Sequence, residues 1–494
     1  MVTSYHSTRN KTVQASARQA VLKGIAADGG LFVHPGLGQE KADLDRILHQ
    51  SYQENAAYIL GLLLPDYTEE ELKQAVQAAY TGSFASEAVT PVKPVGDLQV
   101  LELFHGPTSA FKDVALTMLP QLMSIALKDT GDSAMILTAT SGDTGKAALS
   151  GFKNVDRTGI AVFYPEGKVS QIQYRQMATQ QGDNVRVFAV QGNFDDAQSA
   201  VKRLFLDQEL NDWAASKSIR LSSANSINVG RLVPQVVYYF EAWKQLMHQG
   251  VIGRQDQLSF SVPTGNFGDV LAGYYAYRLG LPVKKFVVAS NANNVLTEFI
   301  RTGVYDRNRP FIKTISPSMD ILISSNLERL LYYMTEGDTA QVKTWMDQLA
   351  AEGRYQVTPE VLEKIQSLFV AEYAGDDETR AEISRVYKED AYVLDPHSAI
   401  GYLAGGRQKG EEPMVVLATA SPYKFAQDVM EAITGDTMAE WDALHALEDI
   451  CQDPVPAPLA ALESADILHD AVVDVPGMKE AVKDSCALTG RGSR

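Results

Sequence analysis

Seven short stretches between residues 99 and 291 begin as runs of mostly apolar or β-branched residues: "QVLELF", "SAMILTAT", "IAVFYP", "VRVFAVQG", "IRLSSAN", "LSFSVPTG" and "VKKFVVASN". Between them lie stretches of helical periodicity, among them "GKAALSGFKNV", "SQIQYRQMATQQ", "RLVPQVVYYFEAWKQLM" and "GDVLAGYYAYRLG". Strands without a polar face must be covered on both sides. Separated by helices, they predict an α/β fold built of parallel sheets with helices on both faces. In such folds ligands sit beyond the carboxyl ends of the strands, where loops enter helix N-termini. The loops that follow these strands are therefore the places to look for chemistry.

The flanks read differently. Residues 1–95 are mainly helical: "DLDRILHQSYQENAAYILGLLL" and "TEEELKQAVQAAYTG" carry apolar residues at three-to-four spacing, and Thr68 with Glu71 forms a capping-box pattern. "VTPVKPVGD" (89–97), with two prolines and a glycine, reads as a linker into the core. The core is expected over 96–430. It holds a smaller lobe at about 130–225 and a charged, helical insertion at about 300–390. A C-terminal helix and partly extended tail are expected over 431–494.

The 494 residues carry a formal charge of −17. Such a field repels polyanions, which argues against nucleic acid and anionic membrane surfaces, while a local cradle of N–H groups can still hold a small anion. No apolar run reaches the roughly 18 residues a membrane span requires. The two cysteines, Cys451 and Cys486, make no disulfide framework or metal motif. The first 27 residues lack acids, yet run directly into structured-looking sequence. The expectation is a mature, cytoplasmic N-terminus without metal or membrane partners.

Against this background "HGPTSAFKDVALTML" (105–119) stands out. Lys112 is the sole lysine between Lys93 and Lys128, set among apolar residues. Most lysines snorkel to water. One that is partly desolvated has a lowered pKa and can attack a carbonyl to form a Schiff base. That chemistry fits pyridoxal phosphate or a lysine aldolase. A phosphorylated cofactor also needs a cup, and "SVPTGNFGDVLAG" (261–273) offers one: strand, two glycines bracketing Asn266 and Phe267, then a helix N-terminus. "TATSGDTGKAALSG" (138–151) fails the nucleotide-binding G-x-x-x-x-G-K-[ST] spacing, but Thr140, Ser141 and Thr144 suit a carboxylate. Ser226, Asn228 and Arg231 in "SSANSINVGRLVPQ" suit a substrate phosphate, although an Asn/Ser turn capping the next helix is the favoured reading of this segment taken alone. His105 and His397 have no partner spacing and receive no role.

Taken in order, "LELFHGPTSAFKD", "TATSGDTG", "SANSINVGRL", "PTGNFGD" and "TASPYKF" resemble the threonine synthases, pyridoxal-phosphate lyases of fold type II, and "STRN" with "DGGLFV" resembles the start of that family. The resemblance extends from about residue 4 to residue 430. It implies a two-lobe, fold type II core that binds pyridoxal 5'-phosphate. It implies that Lys112 forms the Schiff base, that Gly265, Asn266, Phe267, Gly268 and Asp269 bind the cofactor phosphate, and that Thr419 lies near the pyridine nitrogen. Asp143 matches a position beside the cofactor's phenolic oxygen, where a carboxylate is expected to be repelled unless protonated or turned away. Lys424 matches a family lysine expected to help bind phosphate. Two positions depart from the pattern: Asn10 replaces a glycine and Ser421 a histidine, so altered specificity is one expectation.

The implied reaction converts O-phosphohomoserine and water to threonine and phosphate, in a monomer or homodimer. A threonine-synthase-like phospho-lyase or a serine/threonine dehydratase is the alternative within enzymes. A non-catalytic scaffold retaining the fold is the alternative outside them.

Overall fold

A computed structural model describes residues 4–140, 142–192, 194–451 and 454–489, with only the backbone at 194 and 195. The larger lobe is a six-stranded sheet in the order Phe369–Tyr373, Val283–Ser290, Leu258–Pro263, Met414–Ala418, Leu98–Glu102, Val92–Val95; every pair is parallel except the last. The smaller lobe is a parallel five-stranded sheet, Val472–Val473, Val185–Val190, Thr158–Pro165, Ser133–Ala139, Ile219–Ser222. Thr158–Pro165 is buried at all eight positions and Leu258–Pro263 at all six, as runs without a polar face require.

Helices Ala17–Lys23, Leu44–His49, Tyr52–Leu63 and Glu69–Tyr80 form most of the N-terminal region. A small antiparallel sheet of Tyr5–Ser7, Gln14–Ala15 and Phe32–Val33 joins them. The Thr68 hydroxyl accepts from the Glu71 amide while Glu71 reaches back to the Thr68 amide, so the capping box is present. Thr68→Ala should cost about 1 kcal/mol locally, read as roughly fivefold faster hydrogen exchange at the Glu71 amide.

Three segments differ from expectation. Residues 92–95 are not a linker but the edge strand of the large sheet, paired antiparallel with Leu98–Glu102. Pro94 fits because an edge strand leaves one side of its backbone unpaired. The insertion at 300–390 is not wholly helical: Phe369–Tyr373 extends the main sheet, and Val304–Asp306 pairs with Arg354–Gln356. The C-terminal tail adds Val472–Val473 to the small sheet. No helix among the described residues is long and apolar enough to cross a membrane.

Candidate active site

The loop 103–111 is zipped along the end of the strand Met414–Ala418. Leu103 donates its amide to the Ala418 carbonyl, Phe111 to the Thr419 carbonyl at 2.8 Å, and Ser421 to the Ser109 carbonyl; Ala110 and Ala420 form a bridge. These bonds set Lys112, the first residue of the short helix Lys112–Leu116, beside Thr419. Thr108 secures the turn by donating its amide and its hydroxyl to Asp113 at 2.8 and 2.6 Å.

Lys112 is 7% exposed. Its Nζ donates to Ser318 Oγ at 3.1 Å and lies 3.5 Å from Asp143 Oδ2. Burial lowers the pKa of the amine; Asp143 opposes this, while Lys424 and Arg231 reinforce it. The free amine is therefore more populated than on an exposed lysine. Asp143 opens the helix Asp143–Phe152. Burial pushes its carboxyl up, but Lys424 at 3.0 Å and Lys112 outweigh that and hold it well below the usual carboxylate range. The carboxylate is thus ionised and faces into the site. The repulsion expected from its charge is met by two cations rather than by protonation or by turning away.

The glycine loop approaches from the other side. After Leu258–Pro263 the chain passes through Phe267 at φ +62° and enters the helix Gly268–Arg278. A non-glycine residue in left-handed conformation costs free energy. Here the phenyl ring is fully buried, packed on Phe369. Ser324 Oγ donates to the Gly265 carbonyl at 2.6 Å, and Asn326 donates twice to the Asn266 carbonyl. A Cβ on Gly265 would lie 3.2 Å from both Met319 Cα and the Ser318 carbonyl oxygen. The turn that carries Ser318 therefore lies directly on the glycine loop and joins it to Lys112. Asp269 faces inward: it accepts from Thr264 Oγ1 at 2.5 Å and the Val270 amide, and burial raises its pKa to about 6 against those bonds.

The segment 222–235 abuts the same loop. Asn326 Nδ2 donates to the Ser226 carbonyl, and a Cβ on Gly268 would sit 3.9 Å from Ser226 Cβ. Arg231 is 5% exposed. Burial lowers its pKa to about 10, with Asp269 opposing, and of its guanidinium nitrogens only Nη1 has a partner among the described residues, the Ala224 carbonyl. Thr419 is 5% exposed; its amide donates to Ser398 Oγ, and its hydroxyl has no partner among the described residues.

Some expected residues are engaged elsewhere. Lys424 Nζ is fully buried between Asp143 and the Thr108 carbonyl, so it serves Asp143 rather than a phosphate. Asn228 caps the helix Val229–Leu232 through the Gly230 amide and donates to the Val21 carbonyl. Thr140 Oγ1 accepts from the Gly142 and Gly145 amides and so shapes its own loop. Thr144 is half-buried on the first turn of the following helix. Ser141 lies outside the described residues. Of the two departures, Asn10 is exposed and accepts from Thr12, while Ser421 is buried at the turn Pro422–Phe425.

Sequence reasoning missed Ser318, His397, Asn326 and Arg329. Arg329 is fully buried and donates to Asn326 Oδ1, the Ile227 carbonyl and the Phe32 carbonyl, tying the glycine loop, the 222–235 segment and the N-terminal region together. The N-terminal "STRN" reaches the same place: Arg9 makes two bonds of 2.8 Å to Glu328. An arginine among apolar residues in "SSNLERLL" was the available signal.

Three family models match in series: "Threonine synthase N terminus" over residues 4–80, "Pyridoxal-phosphate dependent enzyme" over 99–420, and "Threonine synthase, C-terminal" over 398–485. The threonine synthase of Eremothecium gossypii is 38% identical over 87% of this chain and 89% of its own. "Threonine synthase-like 1" of Homo sapiens is 38% identical over 84% of this chain and 58% of its own length. The crystal structure of PLP-bound threonine synthase from Brucella melitensis superposes with a TM-score of 0.87 at 38% identity, covering 98% of this chain and 99% of that one. The fold is accordingly the type II fold of pyridoxal-phosphate enzymes, and the chain belongs to the threonine synthase family.

Proposed function

We propose that the chain converts O-phosphohomoserine and water to L-threonine and phosphate with pyridoxal 5'-phosphate as cofactor. The observation that carries this reading is the buried Lys112 amine, held by Ser318 on a turn that touches the glycine loop. The donor set fits the cofactor: an amine for its aldehyde, the amides of Gly265 to Asp269 at a helix N-terminus for its phosphate, and a Thr419 hydroxyl, unspent among the described residues, for its ring nitrogen. When bound, the conjugated ring takes up the electron pair left on the substrate when a proton departs.

The chain's own residues do the rest. Lys112 holds and returns the Cα proton, because burial lowers the pKa of its amine and its partners confine it to one place. Asp143 stabilises the charged form of that amine, and Lys424 keeps Asp143 from becoming an uncompensated buried anion. Arg231 and Ser226 receive the departing phosphate dianion; among the described residues the guanidinium has Nε and Nη2 unspent. Thr144, at the start of the helix that Asp143 opens, holds the substrate carboxylate.

The assay that tests this reading follows products from O-phosphohomoserine. Threonine and phosphate in equal amounts support it; 2-oxobutyrate and ammonia would overturn it in favour of a phospho-lyase or dehydratase. A monomer or homodimer belongs to the same proposal, as does a cytoplasmic location, the latter supported by the use of only two cysteines in 494 residues.

A further inference from the structure

Outside the residues already given roles, a chain of hydrogen bonds runs through the motif Asp395–Ser398 to both faces of the site. His397 is 3% exposed. Its Nε2 accepts the Ser318 backbone N–H at 3.2 Å, which requires that nitrogen to carry no proton. Its Nδ1–H then donates to Asp395 Oδ2 at 2.7 Å. Asp395, 1% exposed, also accepts from the amides of His397 and Ser398 and from the Ser398 hydroxyl. Ser398 Oγ in turn accepts the Thr419 amide at 3.0 Å. The turn bearing Ser318 has a second anchor in Asp320, which binds Asn291, Asn293 and Thr314 at 2.8 to 3.0 Å. The turn therefore keeps one anchor when the other is lost, and His397 governs its fine placement.

We propose that Ser318 is a further catalytic residue, and that His397 and Asp395 are its positioning residues. The geometry of one nitrogen, Lys112 Nζ, assigns these roles. A neutral amine has two N–H groups and one lone pair. Ser318 Oγ at 3.1 Å and Asp143 Oδ2 at 3.5 Å occupy the two N–H directions, so the lone pair takes the third. When the amine accepts the Cα proton, that proton fills the third direction, from which it can be returned. Ser318 and Asp143 keep their hydrogen bonds throughout, and no proton leaves the set. Without Ser318 the amine turns about its last carbon bond, and its lone pair is no longer confined to the direction of the substrate.

This inference rests on Lys112 being the reactive amine. The full-length chain, freed of cofactor, is tested in two ways: the rate at which pyridoxal phosphate becomes covalently attached, and the affinity for pyridoxine phosphate, which has the same phosphate but no aldehyde. Ser318→Ala and His397→Leu should slow attachment, and lower kcat on O-phosphohomoserine, by about tenfold or more. Affinity for pyridoxine phosphate should stay within about twofold, and KM should barely move. His397→Gln, whose amide oxygen can accept where Nε2 does, should recover most of the loss. Attachment and turnover of Ser318→Ala within about twofold of the parent would overturn the proposal. So would a parallel fall in analogue affinity, since that marks mere support of the glycine loop. Equal loss in His397→Gln and His397→Leu would remove His397 as a positioning residue. Covalent attachment that survives in Lys112→Ala would refute the underlying assignment instead, a distinct result.

Discussion

Lys112→Ala is expected to lower turnover by about 10³-fold or more, with little effect on folding. The size follows from what is lost: a proton acceptor whose pKa burial has lowered toward the working range, fixed by two partners. The small effect on folding follows from Asp143. A buried carboxylate stripped of its partner ordinarily costs several kcal/mol, but Asp143 retains Lys424 at 3.0 Å, the shorter of its two lysine contacts. The melting temperature should therefore shift by no more than about 3 °C. Lys112→Arg is expected to fail equally, because a guanidinium keeps its proton and offers no lone pair. Steady-state kinetics beside a thermal melt decide the matter. Lys112→Ala turning over within about tenfold of the parent would reject this lysine as the reacting group.

The parts of this site that were legible in sequence are those where residue type alone dictates chemistry. A lone lysine among apolar neighbours, two glycines between a strand and a helix, and runs with no polar face each have few uses, and the structure places them together. What was not legible depends on partners distant in sequence. Asp143 appeared repulsive because it was expected beside the cofactor's phenolic oxygen; the buried cation that meets its charge, Lys424, comes from beyond another strand. Asn228 and Thr140 have polar groups that suit a ligand, but Asn228 Oδ1 caps a helix, its Nδ2 donates to the Val21 carbonyl and Thr140 Oγ1 closes a loop, and only the fold decides between those uses. Ser318 and His397 sit in segments that read as a charged helical insertion and an isolated histidine. Their pairing exists only because the turn at 317–319 lies over the helix Pro396–Arg407. The strand Phe369–Tyr373 escaped because an edge strand is buried at alternate positions and is short, so the helical periodicity around it dominates.

Gly151→Ala should destabilise the protein by about 3 kcal/mol. Helix Asp143–Phe152 crosses helix Lys112–Leu116 at this residue. A Cβ on Gly151 would fall 1.7 Å from the Leu116 carbonyl oxygen and 2.7 Å from its carbon. Both are backbone atoms, so no side chain can swing aside, and the two helices must separate. Intrinsic propensity acts the other way, since alanine is preferred over glycine in a helix by up to about 1 kcal/mol; the clash is large enough to reverse that preference. Lys112 and Asp143 are the first residues of the two crossing helices, so separating them also lengthens the 3.5 Å contact at the reacting amine. Turnover per folded molecule should therefore fall as well as stability. Gly406, in helix Pro396–Arg407, supplies the control, because a Cβ there meets nothing within 4 Å. Gly406→Ala should be neutral or mildly stabilising. A melt in which Gly151→Ala equals or exceeds the parent would show that these helices are not in the contact described, and would remove the physical basis for the placement of Lys112 against Asp143.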